Sequence, residues 1–76
     1  MKELLEYLAK CLVDAPDEVS VALTEEESVV VLELCVAPDD VGRVIGRRGR
    51  VVHALRTVMN ACAMKHGKRV VLEIID

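Results

Sequence analysis

The segment Val44-Ile45-Gly46-Arg47-Arg48-Gly49-Arg50-Val51-Val52 places two glycines around two arginines, between two apolar stretches. Glycine has no Cβ, so it can turn the chain with φ > 0 and can let the backbone of another molecule approach closely. Arginine supplies a permanent positive charge and a fork of donors that matches phosphate. The segment therefore predicts a tight turn suited to holding a nucleic-acid backbone.

Apolar periodicity predicts a helix on each side of this turn. Ala37-Pro38-Asp39-Asp40 offers an aspartate cap for a short helix that ends at about Ile45. From Arg50 to Ala63 the apolar residues recur at helical spacing, and His66-Gly67 closes this longer helix as a glycine cap. The turn thus opens the longer helix, where free N–H groups and the helix dipole favour an anion.

The remaining segments predict one further helix and three strands. The spacing of leucines predicts a helix over Met1 to Val13, and alternation predicts a strand over Val19 to Thr24. After the acidic Glu25-Glu26-Glu27, the apolar run from Val29 to Val36 predicts a second strand, and Val70 to Ile75 predicts a third. The predicted order is helix, strand, strand, helix, helix, strand.

This order predicts an α+β fold with a three-stranded mixed sheet in a single domain over residues 1–76. A hairpin makes strands one and two antiparallel, and a right-handed crossover makes strands two and three parallel, so strand two is central. One alternation set is wholly apolar and should face all three helices; it comprises Val19, Val21, Leu23, Val30, Leu32, Leu34, Val36, Val70, Leu72 and Ile74. The opposite face mixes Ser20, Thr24, Glu33 and Glu73 with valines and Ile75, and is predicted to be bare or a modest contact surface.

Charge is sharply divided along the chain although the net charge is only −3. Residues 1–40 hold eleven acidic residues against two lysines, whereas residues 41–72 hold eight basic residues and no acidic one. Such a gradient predicts a basic face for a polyanion and an acidic face that limits indiscriminate binding. The alternative is a sorted but purely solvating surface, and the Gly-Arg-Arg-Gly turn favours the first interpretation.

Composition excludes several other devices. One Tyr and no Phe or Trp mean that aromatic stacking is not the main means of recognition. Cys11, Cys35 and Cys62 lie far apart in apolar segments, which predicts buried thiols in a reducing cytosol. Neither His53 nor His66 has a carboxylate or cysteine at metal spacing, so we expect no metal or cofactor. Without a signal peptide or membrane span, the sequence predicts a soluble cytoplasmic protein.

The motif and the element order together resemble the KH domain. Its signature is an isoleucine followed by Gly-x-x-Gly between two helices, and the matching residues here are Ile45, Gly46, Arg47, Arg48 and Gly49. The whole-chain order is similar to the bacterial, type II version of the fold, α-β-β-α-α-β. The resemblance covers essentially the entire chain, which looks like the small stand-alone KhpA-type RNA-binding proteins of bacteria.

The resemblance implies that the loop clamps the backbone of about four unpaired nucleotides, whose bases lie in an aliphatic groove rather than on aromatic rings. It implies groove walls at the start of the long helix and, on the central strand, near Leu34 and Val36. His53 departs from the lysine or arginine expected there, which weakens the basic rim near neutral pH. The predicted RNA-contacting residues are Arg43, Ile45, Gly46, Arg47, Arg48, Gly49, Arg50, Val51 and Val52.

Three other classes of protein are alternatives to an RNA-binding KH domain. An enzyme is not expected, because Ser20 and Thr57 have no nearby helper and the cysteines lie in apolar stripes. A DNA-binding helix-turn-helix needs polar residues on its second helix, which here begins Arg-Val-Val-His-Ala-Leu. A protein-interaction module stays open, because the resemblance also implies self-association or pairing with a larger Jag-type RNA-binding protein. The main expectation is a non-catalytic protein of post-transcriptional regulation that binds single-stranded RNA.

Overall fold

The computed structural model describes residues 1–75, and it contains the elements in the predicted order. The boundaries lie within two residues of those expected, and the predicted domain's last residue, Asp76, lies outside the described part. The elements are α1 (Lys2–Leu12), β1 (Ser20–Glu25), β2 (Val29–Cys35), α2 (Val41–Ile45), α3 (Arg50–Met64) and β3 (Arg69–Ile75), with 3-10 turns at Pro16–Glu18, Pro38–Asp40 and Arg47–Gly49.

The sheet has the predicted mixed topology. Its strand order is β1-β2-β3, with β1 antiparallel and β3 parallel to the central β2. In this register Leu34 lies between Val21 on one side and Ile74 on the other. The α+β class and the type II order are therefore confirmed.

The core lies between one face of the sheet and the three helices. Leu5 of α1, Val44 of α2 and Met59 of α3 are completely buried, together with Leu32 and Leu34 of β2. These residues belong to different elements, so burying them holds the helices on the same sheet face. The apolar alternation set thus identified the inner face, although one member on the edge strand, Leu23, stays 38% exposed.

The opposite sheet face is exposed or half-exposed to solvent, and its role as a bare face or a modest contact surface stays a prediction. Val31 and Glu33 are half-buried by their neighbours in the sheet, while Val71 and Ile75 are exposed. The prediction of buried cysteines is wrong: Cys11 is exposed and Cys35 and Cys62 are partly so. Cys35 is on the outer face of the sheet. For Cys11 and Cys62, which lie in helices, apolar spacing alone does not show whether a helix face is fully or only partly covered.

The end of α3 is fixed by a Schellman motif, which confirms the glycine cap. Gly67 has φ +70°, and its N–H bonds to Met64 O at 3.0 Å while the N–H of Lys68 bonds to Ala63 O at 3.1 Å. Farther back, Asn60 Oδ1 accepts the N–H of Val70 at 3.0 Å. These bonds align α3 with the edge strand β3. They thereby orient the amino-terminal end of α3, which follows the Gly-Arg-Arg-Gly turn.

Candidate nucleic-acid interface

The turn between α2 and α3 is built from unusual backbone angles. Gly46 has φ 78° and ψ 170°, and the N–H of Gly49 donates to Gly46 O at 3.1 Å to close a single 3-10 turn. Arg48 (φ 58°, ψ 26°) and Gly49 (φ 73°, ψ 16°) are both left-handed. Two consecutive left-handed residues reverse the chain abruptly, so α3 starts at Arg50, directly after the turn.

Gly46 is required at its position for two separate reasons. Its φ and ψ lie in a region that is essentially restricted to glycine. In addition, a Cβ added there would lie 2.4 Å from Val51 Cγ2 and 2.8 Å from the Val51 backbone nitrogen. At Gly49 the nearest atom to an added Cβ is Val52 Cγ1 at 4.0 Å, so only the backbone angle favours glycine there. The loop is therefore packed against the first turn of α3.

Three of the predicted contact residues form a group of free cations around this turn. Arg47, Arg48 and Arg50 are exposed, and none makes an ion pair or a side-chain hydrogen bond with another residue in the range 1–75. The first turn of α3 contains no acidic residue, and its cap position, Gly49, supplies no side-chain acceptor. The positive end of a 15-residue helix and three guanidinium groups thus meet at one open surface.

Arg43, also a predicted contact, has different surroundings. Its Nη2 lies 2.8 Å from Asp14 Oδ2, and its Nε lies 3.3 Å from Asp40 Oδ1. Asp40 does not cap α2 with its side chain, so that prediction is wrong. Its carboxylate instead accepts the N–H groups of Asp14 and Ala15, each at 3.1 Å. No local sequence pattern indicates these bonds, because their partners are 26 and 25 residues apart.

The apolar residues beside the loop divide into open and buried ones. Ile45 is 37% exposed and Val51 is partly exposed, so both can line a groove next to the free cations. Val52 is 8% exposed and supports the loop from beneath. Leu34 and Val36 lie in the core with almost no exposed surface, so the prediction that they form groove walls is wrong. The central strand is covered by the helices at this point.

Two other members of the basic segment have partners away from the loop. Lys68 pairs with Glu25, and this hydrogen bond, reinforced by the charge of Lys68, lowers the pKa of the Glu25 carboxyl. Arg56 donates from Nη2 to Leu72 O at 3.4 Å. The eight basic residues are therefore not equivalent, and the arginines of the Gly-Arg-Arg-Gly turn are among those without a partner within residues 1–75.

A second open feature lies between α1 and α3, and the sequence interpretation did not identify it. It is an apolar groove of about 280 Å³ that begins at the first turn of α3. The sequence pattern of α1 could have indicated this groove, because the helix has more apolar residues on one side than the two that are buried, Leu5 and Ala9. The groove is lined by Leu8, Cys11, Leu12, Val51, Ala54, Leu55 and Val58.

Residues 1–75 contain neither of two further kinds of site. No helix in this range is long and apolar enough to cross a membrane. The same range brings together no group of three or more histidine, cysteine or acidic side chains that could hold a metal ion.

An α-β-β-α-α-β chain with Ile-Gly-Arg-Arg-Gly between its second and third helices has the architecture of a type II KH domain. The family model described as "KhpA/KhpB, KH domain" matches residues 2–74, nearly the whole chain. The chain therefore belongs to the KhpA/KhpB family of KH domains.

Individual relatives agree over the full length. The RNA-binding protein KhpA of Clostridium acetobutylicum is 57% identical over 75 residues, which cover 99% of this chain and 100% of the relative. The RNA-binding protein KhpA of Borreliella burgdorferi is 51% identical over 97% of this chain and 90% of its own. The protein of the same name from Aquifex aeolicus is 50% identical over 100% and 96%. No solved structure matches the chain significantly.

Proposed function

We propose that this chain binds single-stranded RNA without catalysing a reaction and that the Gly46–Gly49 loop clamps the phosphate backbone. The observation that carries the proposal is the group of three arginines at the amino-terminal end of α3, which have no partner among the described residues. Phosphate is the ligand that such a site favours, because backbone N–H groups, the helix dipole and guanidinium forks all attract it. The names of the relatives, RNA-binding protein KhpA, support the proposal.

Each part of the site has a separate task in this proposal. Gly46 and Gly49 let the sugar-phosphate backbone approach the loop, and Arg47, Arg48 and Arg50 neutralise adjacent phosphates. Ile45 and Val51 form the aliphatic wall against which unpaired bases lie, while Val52 holds that wall in place from below. Phosphate contacts position a strand without reading its sequence, so we expect low sequence selectivity.

The distribution of charge supports a single RNA-binding face. Eleven of the thirteen acidic residues lie in the first forty residues, before the loop segment in the sequence, and they make the surfaces that carry them unfavourable for RNA. We place the protein in the cytoplasm and in post-transcriptional regulation, since short unpaired segments of cellular RNA are the ligand that this loop would meet there.

The test is the double substitution Arg47→Asp with Arg48→Asp, which leaves both glycines in place. Aspartate tolerates the left-handed angles of position 48 better than most residues, so circular dichroism should report a folded protein. Binding to a labelled oligouridylate of about eight nucleotides, twice the span of the clamp, should be lost at moderate salt. The control is Lys10→Asp with Lys65→Asp, which changes the net charge equally on exposed lysines outside the loop.

Salt dependence distinguishes the clamp from general attraction. If three arginines each neutralise one phosphate, log K for single-stranded RNA should fall with log[salt] with a slope of about −2. The control variant should keep that slope and lose only modest affinity. The clamp would be refuted if the folded loop variant bound RNA as tightly as the wild type, or if the loop and control variants lost the same affinity.

A second candidate function, dimerisation, rests on the apolar groove between α1 and α3. Leu12 and Val58 are 36% and 41% exposed, and Tyr7 on the same helix as Leu12 is 66% exposed. Open apolar surface of this kind is typical of an interface. We propose that it receives a second copy of the chain or the KH domain of a larger, Jag-type RNA-binding protein; the family model groups KhpA with KhpB.

Sedimentation velocity tests the second candidate. Val58→Lys should convert a dimer to a monomer, whereas Val71→Lys, at a valine equally exposed on the outer sheet face, should not. Equal sedimentation of all three proteins would exclude the groove as the dimer surface. If the wild-type chain sediments as a dimer and binds no oligouridylate, the interaction-module function replaces the RNA clamp.

A further inference from the structure

Among residues 1–75, Asp40 and Arg43 form the polar cluster with the most side-chain bonds, and Arg43 lies three residues before the loop. Asp40 is only 2% exposed, and its two oxygens accept the N–H groups of Asp14 and Ala15 at 3.1 Å. Arg43 Nε lies 3.3 Å from the same carboxylate, and its Nη2 lies 2.8 Å from Asp14 Oδ2. The cluster joins the segment after α1 to the first turn of α2.

This junction matters because α2 cannot fix its own orientation. It has only five residues, far fewer than the roughly 12 to 15 that an isolated helix needs for even marginal stability. Its direction must therefore come from contacts with the rest of the fold, namely the burial of Val44 and the Asp40–Arg43 cluster. Since α2 ends at Ile45, any rotation of α2 moves Gly46 and the loop that follows.

The charges of the cluster also make it a poor phosphate contact. Two carboxylates face one guanidinium, so the three side chains together carry a net negative charge at neutral pH. A phosphate approaching Arg43 would meet Asp14, which is 76% exposed, on the same guanidinium. Arg47, Arg48 and Arg50 have no such competitor among the described residues.

We infer that Asp40 and Arg43 are positioning residues, which set the angle of α2 and thereby pre-organise the Gly46–Gly49 loop for RNA, without contacting RNA themselves. The effect on affinity rests on the proposed RNA binding. The effect on the loop does not, because it is a property of the protein alone. Pre-organisation matters here because a loop that must be ordered on binding loses affinity to that ordering.

Asp40→Asn gives opposite results under the two possible roles. Loss of a negative charge near the loop should tighten RNA binding if the cluster acts only through its field. Under the positioning role it should weaken binding, because an asparagine amide offers one acceptor oxygen where Asp14 and Ala15 need two. Asp39→Asn is the matched control, since Asp39 is exposed and forms no side-chain bond within residues 1–75.

The measurement is fluorescence anisotropy with the labelled oligouridylate. We expect Asp40→Asn to weaken binding roughly two- to thirtyfold relative to Asp39→Asn, the range found for residues that act without touching the ligand. Binding by Asp40→Asn as tight as that of Asp39→Asn would overturn the inference. If Asp40→Asn fails to fold, Arg43→Lys serves: it keeps the charge but not the two-point geometry, so near-wild-type affinity would indicate a direct charge contact.

Hydrogen exchange separates this inference from the proposed function. In the RNA-free protein, the N–H of Gly46 bonds to Gly42 O at 2.9 Å and the N–H of Gly49 bonds to Gly46 O at 3.1 Å. Both amides should exchange faster in Asp40→Asn than in Asp39→Asn, while the Val70 amide should not change. Unchanged exchange at Gly46 and Gly49 overturns the positioning role. A wild-type protein that binds no RNA overturns the proposed function, and the exchange result still decides the inference.

Discussion

Substituting Gly46 with alanine tests the geometry of the loop most severely. The added methyl group would lie 2.4 Å from Val51 Cγ2, 2.8 Å from Val51 Cβ and 2.8 Å from the Val51 nitrogen. Two of these atoms belong to the backbone or are fixed directly to it, so rotation of the valine side chain cannot relieve the overlap. The backbone at φ 78° and ψ 170° is also unfavourable for any residue with a Cβ.

Both effects contribute to the expected loss of stability. A non-glycine residue in this region of φ and ψ costs about 1 to 3 kcal/mol. Inserting a carbon into a packed contact costs about 1 to 3 kcal/mol more. The sum of about 2 to 6 kcal/mol is a large part of the roughly 4 to 11 kcal/mol that stabilises a domain of this length. We therefore expect Gly46→Ala to lose about 2 to 6 kcal/mol of its free energy of unfolding and to unfold at a much lower urea concentration than the wild type.

Urea unfolding followed by circular dichroism measures the effect, and two other glycines provide controls. Gly49→Ala, with φ 73° and no atom closer than 4.0 Å, should cost only about 1 to 2 kcal/mol. Gly42→Ala, within α2 and with nothing within 4 Å, should be neutral or stabilise by up to about 1 kcal/mol. A Gly46→Ala protein as stable as Gly49→Ala would show that the described packing of the loop on Val51 is incorrect.

Three further predictions concern single interactions. Arg48→Gly should raise the free energy of unfolding by about 0.5 kcal/mol. Glycine relieves the strain of the left-handed backbone, but its greater backbone entropy in the unfolded chain cancels part of this stabilisation. Urea unfolding measures the change, and a lower free energy of unfolding would contradict the left-handed conformation of Arg48. Asn60→Ala should lower stability by about 1 to 2 kcal/mol, since it removes the acceptor of the Val70 N–H; an unchanged exchange rate of that amide would contradict the bond. Lys68→Met should return the pKa of Glu25 toward 4.5. A carboxyl whose pKa is lowered in the folded protein stabilises the fold at pH values above its unfolded pKa, and this stabilisation is lost as the pH falls through the folded pKa. The stabilities of wild type and variant should therefore converge in strongly acidic solution. An NMR titration of the Glu25 carboxyl that is identical in both proteins would contradict the Lys68–Glu25 pair.

Periodicity was sufficient to predict the fold because each element follows a simple rule. The alternating valines and leucines of the three strands specify which sheet face is buried, and the single hairpin and crossover leave few topologies. The Gly-Arg-Arg-Gly segment could likewise be placed at the start of α3, because only a turn fits two glycines between two helical patterns. These inferences depend on residues that are close in sequence.

The errors arose where distant residues meet. Nothing local in the sequence shows that Asp40 binds the backbone after α1 rather than capping α2, or that Arg43 is held by two carboxylates. The predicted groove wall at Leu34 is wrong because helices cover this residue, and their positions depend on packing between distant segments. The exposure of Cys11 has the same cause. Cys11 lines the groove between α1 and α3, and this groove depends on the distance between the two helices, which neither apolar pattern alone specifies.

The most direct test of the central claim is a titration of the ¹⁵N-labelled protein with the unlabelled oligouridylate, followed by amide chemical shifts. The claim predicts that the largest shifts fall on Gly46 to Val52, with little change at Val31 and Val71 on the open sheet face. The amides of Asp14 and Ala15 should shift only slightly, because the Asp40–Arg43 cluster to which they are bonded orients the loop without contacting RNA. Shifts concentrated on the sheet face or on α1, with the loop amides unmoved at saturation, would contradict the claim that Gly46–Gly49 holds the RNA.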